Sequence, residues 1–250
     1  MTARRIVYLH GVPGGPDELA LFDGTPFDGC DLFAPDRMAA TSGDIAALAA
    51  AIDARFAGQS VALVGFSLGA FVALQLAARL GERVTRIDLV AAAAPLERGD
   101  FLGSMAGAPV FRAARDAPWR FAALLGVQAL LARVAPGLLY RMVFAGVAGA
   151  DRALVGQPRF RAGIRAILAA ALRDGAPGYR CELLAYVAPW SALLGTVTAP
   201  VTLWHGSEDN WAPIAMVEAL AVALPNVAAV NRLAGLSHYS ALAHVLGEIG

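Results

Sequence analysis

Six short, largely apolar runs recur along the chain, at residues 6–9, 31–34, 61–66, 86–90, 201–204 and 227–233. Runs this short, without strict alternation, are the pattern of strands covered on both faces. A different period lies between them. Ile45, Leu48, Ala49, Ile52 and Phe56 keep helical spacing behind the capping candidates Ser42 and Asp44. Residues 68–80 form a second helical pattern, stopped by Gly81. Strand alternating with helix predicts an α/β fold, with a mostly parallel sheet of about six strands and helices on both faces.

The rhythm breaks between residues 97 and 190. Nothing there reads as a strand. The segment offers apolar stretches at 119–133, 138–147, 160–173 and 181–187, spaced by Arg and broken by Gly and Pro. The expected organisation is a core made of residues 1–96 and 191–250, with an all-helical cap, or lid, inserted over 97–190.

Composition narrows the function classes. The 250 residues are 58% apolar and 16% charged, with zero net charge, so the chain as a whole is not built for nucleic acid or an anionic membrane. All 20 basic residues are Arg. Residues 98–190 hold 12 Arg against 5 acids, a balance of +7 that the rest of the chain offsets. Such a cap is either a solvated surface or an attraction for an anionic substrate, such as a carboxylated ester or an acyl group on an acidic carrier protein. Cys30 and Cys181 show no metal-ligand spacing and read as free thiols of a reducing compartment. Residues 6–9 are too short for a signal-peptide core, and 121–132 fall short of a membrane span. A cytoplasmic protein with no membrane partner, metal or cofactor is expected.

Candidate chemistry centres on "GFSLGA", residues 65–70. Ser67 sits where a strand ends and a helix begins, between glycines two residues to either side. That is the setting of a nucleophile elbow, a turn so sharp that only glycine fits at the flanking positions. A serine nucleophile needs a base, and the base needs an orienting acid. Of the four histidines, His10 and His205 each stand at a strand end before Gly and read as loop-stabilising, and His244 lies on the last helix. His238, in "GLSHYS" after the sixth strand, can lie over the sheet end. "HGSEDNW" after the fifth strand supplies the acid, Asp209 first and Glu208 as the fallback. The end of the fourth strand, "LVAAAAP", offers none. Oxyanion donors are expected from the Leu68 N–H and from the loop "HGVPGG", where Pro13 has no N–H, Val12 leads and Gly11 is next.

In order and spacing, "HGVPGG", "GFSLGA", "HGSEDNW" and "GLSHYS" resemble the oxyanion loop, nucleophile elbow, acid loop and histidine loop of the α/β-hydrolase superfamily. The resemblance covers about residues 5–96 and 191–250. It implies a serine hydrolase with the catalytic residues Ser67, Asp209 and His238, acting on a small to medium carboxylic ester with no metal or cofactor. The same machinery also serves thioesterases, C–C bond hydrolases and acyltransferases, and the fold can act as a silent ligand receptor. Relatives often carry further strands ahead of the oxyanion loop, so a reduced sheet is expected here. The segment "PDRMAATSGD" has lost the glycines of its counterpart. From the cap, Trp119, Phe121, Tyr140, Phe144, Tyr186 and Trp190 are the candidate substrate-lining aromatics.

Overall fold

The computed structural model describes residues 3–24, 27–38 and 44–249. Ser42 and the middle of "PDRMAATSGD" lie outside them. The six apolar runs become β1 (Arg5–Leu9), β2 (Asp31–Phe33), β3 (Val61–Phe66), β4 (Val84–Val90), β5 (Val201–Gly206) and β6 (Val227–Leu233). They form one sheet in the order β2-β1-β3-β4-β5-β6, with every neighbouring pair parallel. β3 is buried along its whole length, which explains its unbroken apolar sequence, whereas the edge strand β6 has only half-buried and exposed positions.

The order reverses between β1 and β3, which are neighbours although β2 separates them in the chain. The loops leaving these two strands therefore diverge at adjacent sheet positions, the place where open α/β sheets hold ligands. α1 (Ile45–Phe56) and α2 (Gly69–Leu80) follow β2 and β3, while α9 (Ile214–Ala223) and α10 (His238–Ile249) follow β5 and β6. Right-handed crossovers put α1, α2 and α9 on one face, and α10 returns over β5 and β4 on the other. Asp44 caps α1, its Oδ1 accepting from the Ala46 and Ala47 N–H groups at 2.8 and 3.3 Å.

Between β4 and β5 stands the inserted helical cap: α3 (Ala108–Asp116), α4 (Pro118–Val134), α5 (Pro136–Val143), α6 (Asp151–Leu154), α7 (Pro158–Ala171) and α8 (Pro177–Val187). Proline occupies the first turn of α3, α4, α5, α7 and α8, where its missing N–H has no intrahelical acceptor to lose. We place the ends of the cap at residues 97 and 190, because the chain leaves and re-enters the core side by side there. Glu97 Oε1 accepts from the Trp190 and Ser191 N–H groups, both at 2.7 Å. A buried ion pair ties the cap to the core. Arg37 Nε donates to Glu182 Oε1 on α8 at 2.7 Å, and a second guanidinium nitrogen donates to Glu182 Oε2 and to the His10 carbonyl. Among the described residues, no helix is long and apolar enough to cross a membrane.

Candidate active site

Ser67 follows the last residue of β3 and has φ of +56°, a left-handed conformation that costs a non-glycine residue on the order of 1–3 kcal/mol. The two glycines around it are required by space. A Cβ on Gly69 would come within 2.0 Å of the Leu9 carbonyl oxygen, and one on Gly65 within 2.8 Å of the Gly69 carbonyl oxygen. β1, β3 and α2 therefore meet backbone to backbone beneath the serine. Its own N–H donates to Val90 O at 2.9 Å and its carbonyl accepts from Ala93 N–H at 3.2 Å, so the turn is pinned to the end of β4.

Asp209 is buried in the loop after β5, whereas Glu208 beside it is exposed. One carboxylate oxygen of Asp209 accepts from the Trp211 and Ala212 N–H groups at 2.8 and 3.0 Å. The other lies 2.7 Å from His238 Nδ1. With Nδ1 donating to Asp209, Nε2 is left as the basic nitrogen. Trp211 stacks on the imidazole at 5.8 Å and 20°, and Phe66 packs against it at 4.7 Å. Burial pulls the His238 pKa down, but the charge and hydrogen bond of Asp209, with Asp151 and Glu18 behind them, outweigh it and leave the value above 6.5.

His238 is the first residue of α10 rather than a loop residue. What fixes that start comes from the cap: the buried Asp151 on α6 accepts from the Tyr239 and Ser240 N–H groups at 2.9 and 2.7 Å. A carboxylate on the first amides of a helix satisfies orphan donors and favours the dipole. Two other histidines, His10 and His205, are held as neutral props. His10 Nδ1–H donates to its neighbour's carbonyl, and Nε2 accepts from Arg37 N–H at 3.2 Å. His205 Nε2–H donates to Ala212 O at 2.7 Å, beneath Asp209. Burial lowers the pKa of both.

The loop after β1 is anchored by an acid that the sequence does not single out. Glu18, in the short 3-10 turn Pro16–Ala20, is fully buried. Its Oε2 accepts from Gly11 N–H at 2.9 Å and from Tyr8 O–H at 3.0 Å. Gly11 N–H is therefore occupied, whereas the Val12 and Leu68 N–H groups have no backbone acceptor among the described residues. Leu68 is the N-cap of α2, so its N–H is an orphan of the helix start. Burial drives the Glu18 carboxyl up from 4.5 to about 7, against the Gly11 and Tyr8 hydrogen bonds and the Arg37 and His238 charges. An acid whose folded pKa is raised binds its proton more tightly when folded. Its contribution therefore favours folding below pH 4.5 and is lost as pH rises through 7, about 3 kcal/mol in all. Glu18→Gln removes this dependence. Urea unfolding at about pH 4.5 and about pH 8 should show the variant gaining stability relative to wild type by that order, and parallel pH curves would rule the buried acid out.

A cavity of about 330 Å³ opens over these groups, between the sheet end and the cap. Ser67, Leu68, Val12 and His238 border it from the core, and Phe144, Ile164 and Leu183 are among its cap walls. Of the six aromatics expected to line a pocket, Phe144 does so and the other five do not. Trp119 is 71% exposed on the outer side of α4, and Phe121 is buried against Tyr179. Tyr140 donates to Val155 O, Tyr186 donates to Ala94 O, and Trp190 packs on Phe71. The aromatics that border it instead are Phe66, Phe111, Tyr179, Tyr239 and, from the acid loop, Trp211. All 12 Arg of residues 98–190 are exposed, and no Arg, Asp or Glu borders the cavity among the described residues. Nothing in this cavity matches the anionic substrate or acidic carrier that the cap charge suggests; the cap arginines meet solvent. Among the described residues, no group of three His, Cys, Asp or Glu is placed to hold a metal ion.

This arrangement pairs a hydroxyl on a strained turn with a carboxylate-held imidazole in one cavity, beside two unengaged N–H groups. Known proteins with the same architecture bear on it. A family profile described as the alpha/beta hydrolase fold matches residues 4–244. No curated protein sequence matches the chain significantly. Among solved structures, a thermophilic esterase from Thermogutta terrifontis is similar at a TM-score of 0.68 and 18% identity, covering 99% of this chain and 88% of that one. A bromoperoxidase from Bacillus anthracis follows at 0.67 and 14%, covering 99% and 90%. An enol-lactonase from Burkholderia xenovorans gives 0.66 and 18%, covering 100% and 89%. At such identities the likeness is one of fold.

Proposed function

Because the chain belongs to the α/β-hydrolase fold family, we propose that it is a serine hydrolase that cleaves a small to medium carboxylic ester through an acyl-enzyme on Ser67. The observation that carries the reading is the 2.7 Å pairing of Asp209 with His238 Nδ1, which leaves Nε2 basic in the cavity that Ser67 also borders. His238 Nε2 takes the hydroxyl proton as Ser67 Oγ attacks the carbonyl carbon. The Leu68 and Val12 N–H groups hold the oxyanion. His238 then passes the proton to the departing alkoxide, and an alcohol leaves. Water, deprotonated by the same imidazole, attacks the acyl-enzyme, and its proton returns to Ser67 Oγ as the acid departs. Asp209 fixes the tautomer and stabilises the imidazolium between these steps. The esterase and lactonase activities named for the similar structures belong to this chemistry.

The pH profile tests the base. Its pKa lies above 6.5, and only the neutral imidazole accepts a proton, so kcat/KM should rise with pH through an acid limb above 6.5. Removing the Asp209 charge takes away the largest influences that raise the value and leaves only the Asp151 and Glu18 charges against burial, which lowers it. The limb should therefore move down in Asp209→Asn. A limb that stays in place would mean that another group titrates.

A further inference from the structure

The cap half of the cavity is walled by aliphatic and aromatic side chains with two polar exceptions, Gln128 and Tyr179. Gln128 lies on α4 one turn from Leu125 and Ala132, both buried, so it shares the inward face of that helix. Its Oε1 is buried and has no hydrogen-bond partner among the described residues. Tyr179 is 4% exposed on α8 and borders the same cavity. Burial raises its pKa, so it stays a neutral O–H group. Buried polar atoms are nearly always paired. Gln128 borders the cavity, and a turn of its side-chain amide presents the enclosed Oε1 to what fills that cavity. Its partner must carry an N–H or O–H. It must also be uncharged, because among the described residues no Arg, Asp or Glu borders the cavity to balance a charge.

We propose that Gln128, with the Tyr179 hydroxyl beside the same cavity, determines specificity by pairing with one uncharged hydrogen-bonding group, such as a secondary amide or a hydroxyl, held away from the scissile bond. This rests on the hydrolase reading of the same site and names its substrate class: esters whose enclosed part carries one neutral N–H or O–H donor, rather than plain alkyl esters or carboxylated ones. Gln128 Oε1 accepts from that donor. The Tyr179 O–H is available to a neighbouring carbonyl or ether oxygen.

The test uses two activated esters of equal length, one with a secondary amide in its acyl chain and one with methylenes in its place. The intact protein should prefer the amide ester by about tenfold in kcat/KM. Gln128→Leu should invert that preference, lowering kcat/KM for the amide ester and raising it for the methylene ester, since the orphan carbonyl is gone. Gln128→Met, close to glutamine in volume, should do the same, and Tyr179→Phe should weaken the preference without inverting it. Binding of both compounds to Ser67→Ala, followed by Trp211 fluorescence, separates this proposal from the one beneath it. If neither ester is turned over but the amide compound binds more tightly and Gln128→Leu abolishes that, the pairing stands and the hydrolase reading falls. If both esters are cleaved in the same ratio by the intact protein and by the Gln128 variants, the pairing is overturned.

Discussion

Ser67→Ala is expected to hydrolyse a short activated ester about 10⁶-fold more slowly than the intact protein, if nucleophile and base act as a unit. The size of the effect follows from the geometry. Ser67 is held at φ +56° by glycines that can carry no side chain, and among the described residues no other hydroxyl-bearing side chain borders its cavity except Tyr179 and Tyr239. Both phenols are buried and have raised pKa values, so neither is a ready substitute. What survives should be catalysis by the Leu68 and Val12 N–H groups and by binding. The rate is to be measured on protein shown to be folded, with intact protein as the reference. A loss below about tenfold would remove Ser67 from the chemistry.

The second large effect is expected at the acid. Asp209→Asn should lower kcat about 10⁴-fold, whereas Glu208→Gln should stay within about twofold. Asp209 is fully committed, one oxygen to the Trp211 and Ala212 N–H groups and the other to His238 Nδ1. An asparagine that keeps its carbonyl on the two N–H groups turns its NH2 toward His238. The ring must then accept at Nδ1 and carry its proton on Nε2, the wrong nitrogen for taking one from Ser67. Glu208 is exposed, and the carboxylate on His238 Nδ1 is that of Asp209. The reverse ranking in steady-state rates would move the acid to Glu208.

The sheet, the elbow and the acid loop are legible in the sequence because each is encoded locally. A buried parallel strand needs an unbroken apolar run, and a turn that brings three backbones together needs glycine at fixed offsets. Both signals lie within ten residues of the feature they report. Partners brought together by the fold leave no such mark. Glu182 pairs with Arg37 across 145 positions and Asp151 reaches Ser240 across 89, so neither acid differs in sequence from a solvated one. Glu18 looks like an ordinary acid in the first turn of a surface segment, "PDEL", and only the path of the loop buries it against Tyr8 and Gly11.

Which cap aromatics border the cavity is not legible in the sequence for a related reason. α4 is apolar around most of its circumference, so helical spacing does not tell its inner face from its outer one. Val127, Leu130 and Val134 are exposed along with Trp119, while Leu125 and Ala132 face inward. The polar residue on that inner face is Gln128. His238 begins a helix where the sequence reads as a loop, because the carboxylate that caps α10 arrives from the cap and not from the adjoining sequence.

The central claim, that Ser67 is a nucleophile made reactive by His238 and Asp209, is tested most directly by labelling the folded protein with a fluorophosphonate and locating the adduct by mass spectrometry of the digested chain. The account predicts one label per chain, on Ser67, formed far more slowly in His238→Ala. A folded protein that takes up a ligand in the cavity yet resists the probe, or carries the label on another residue, would contradict it.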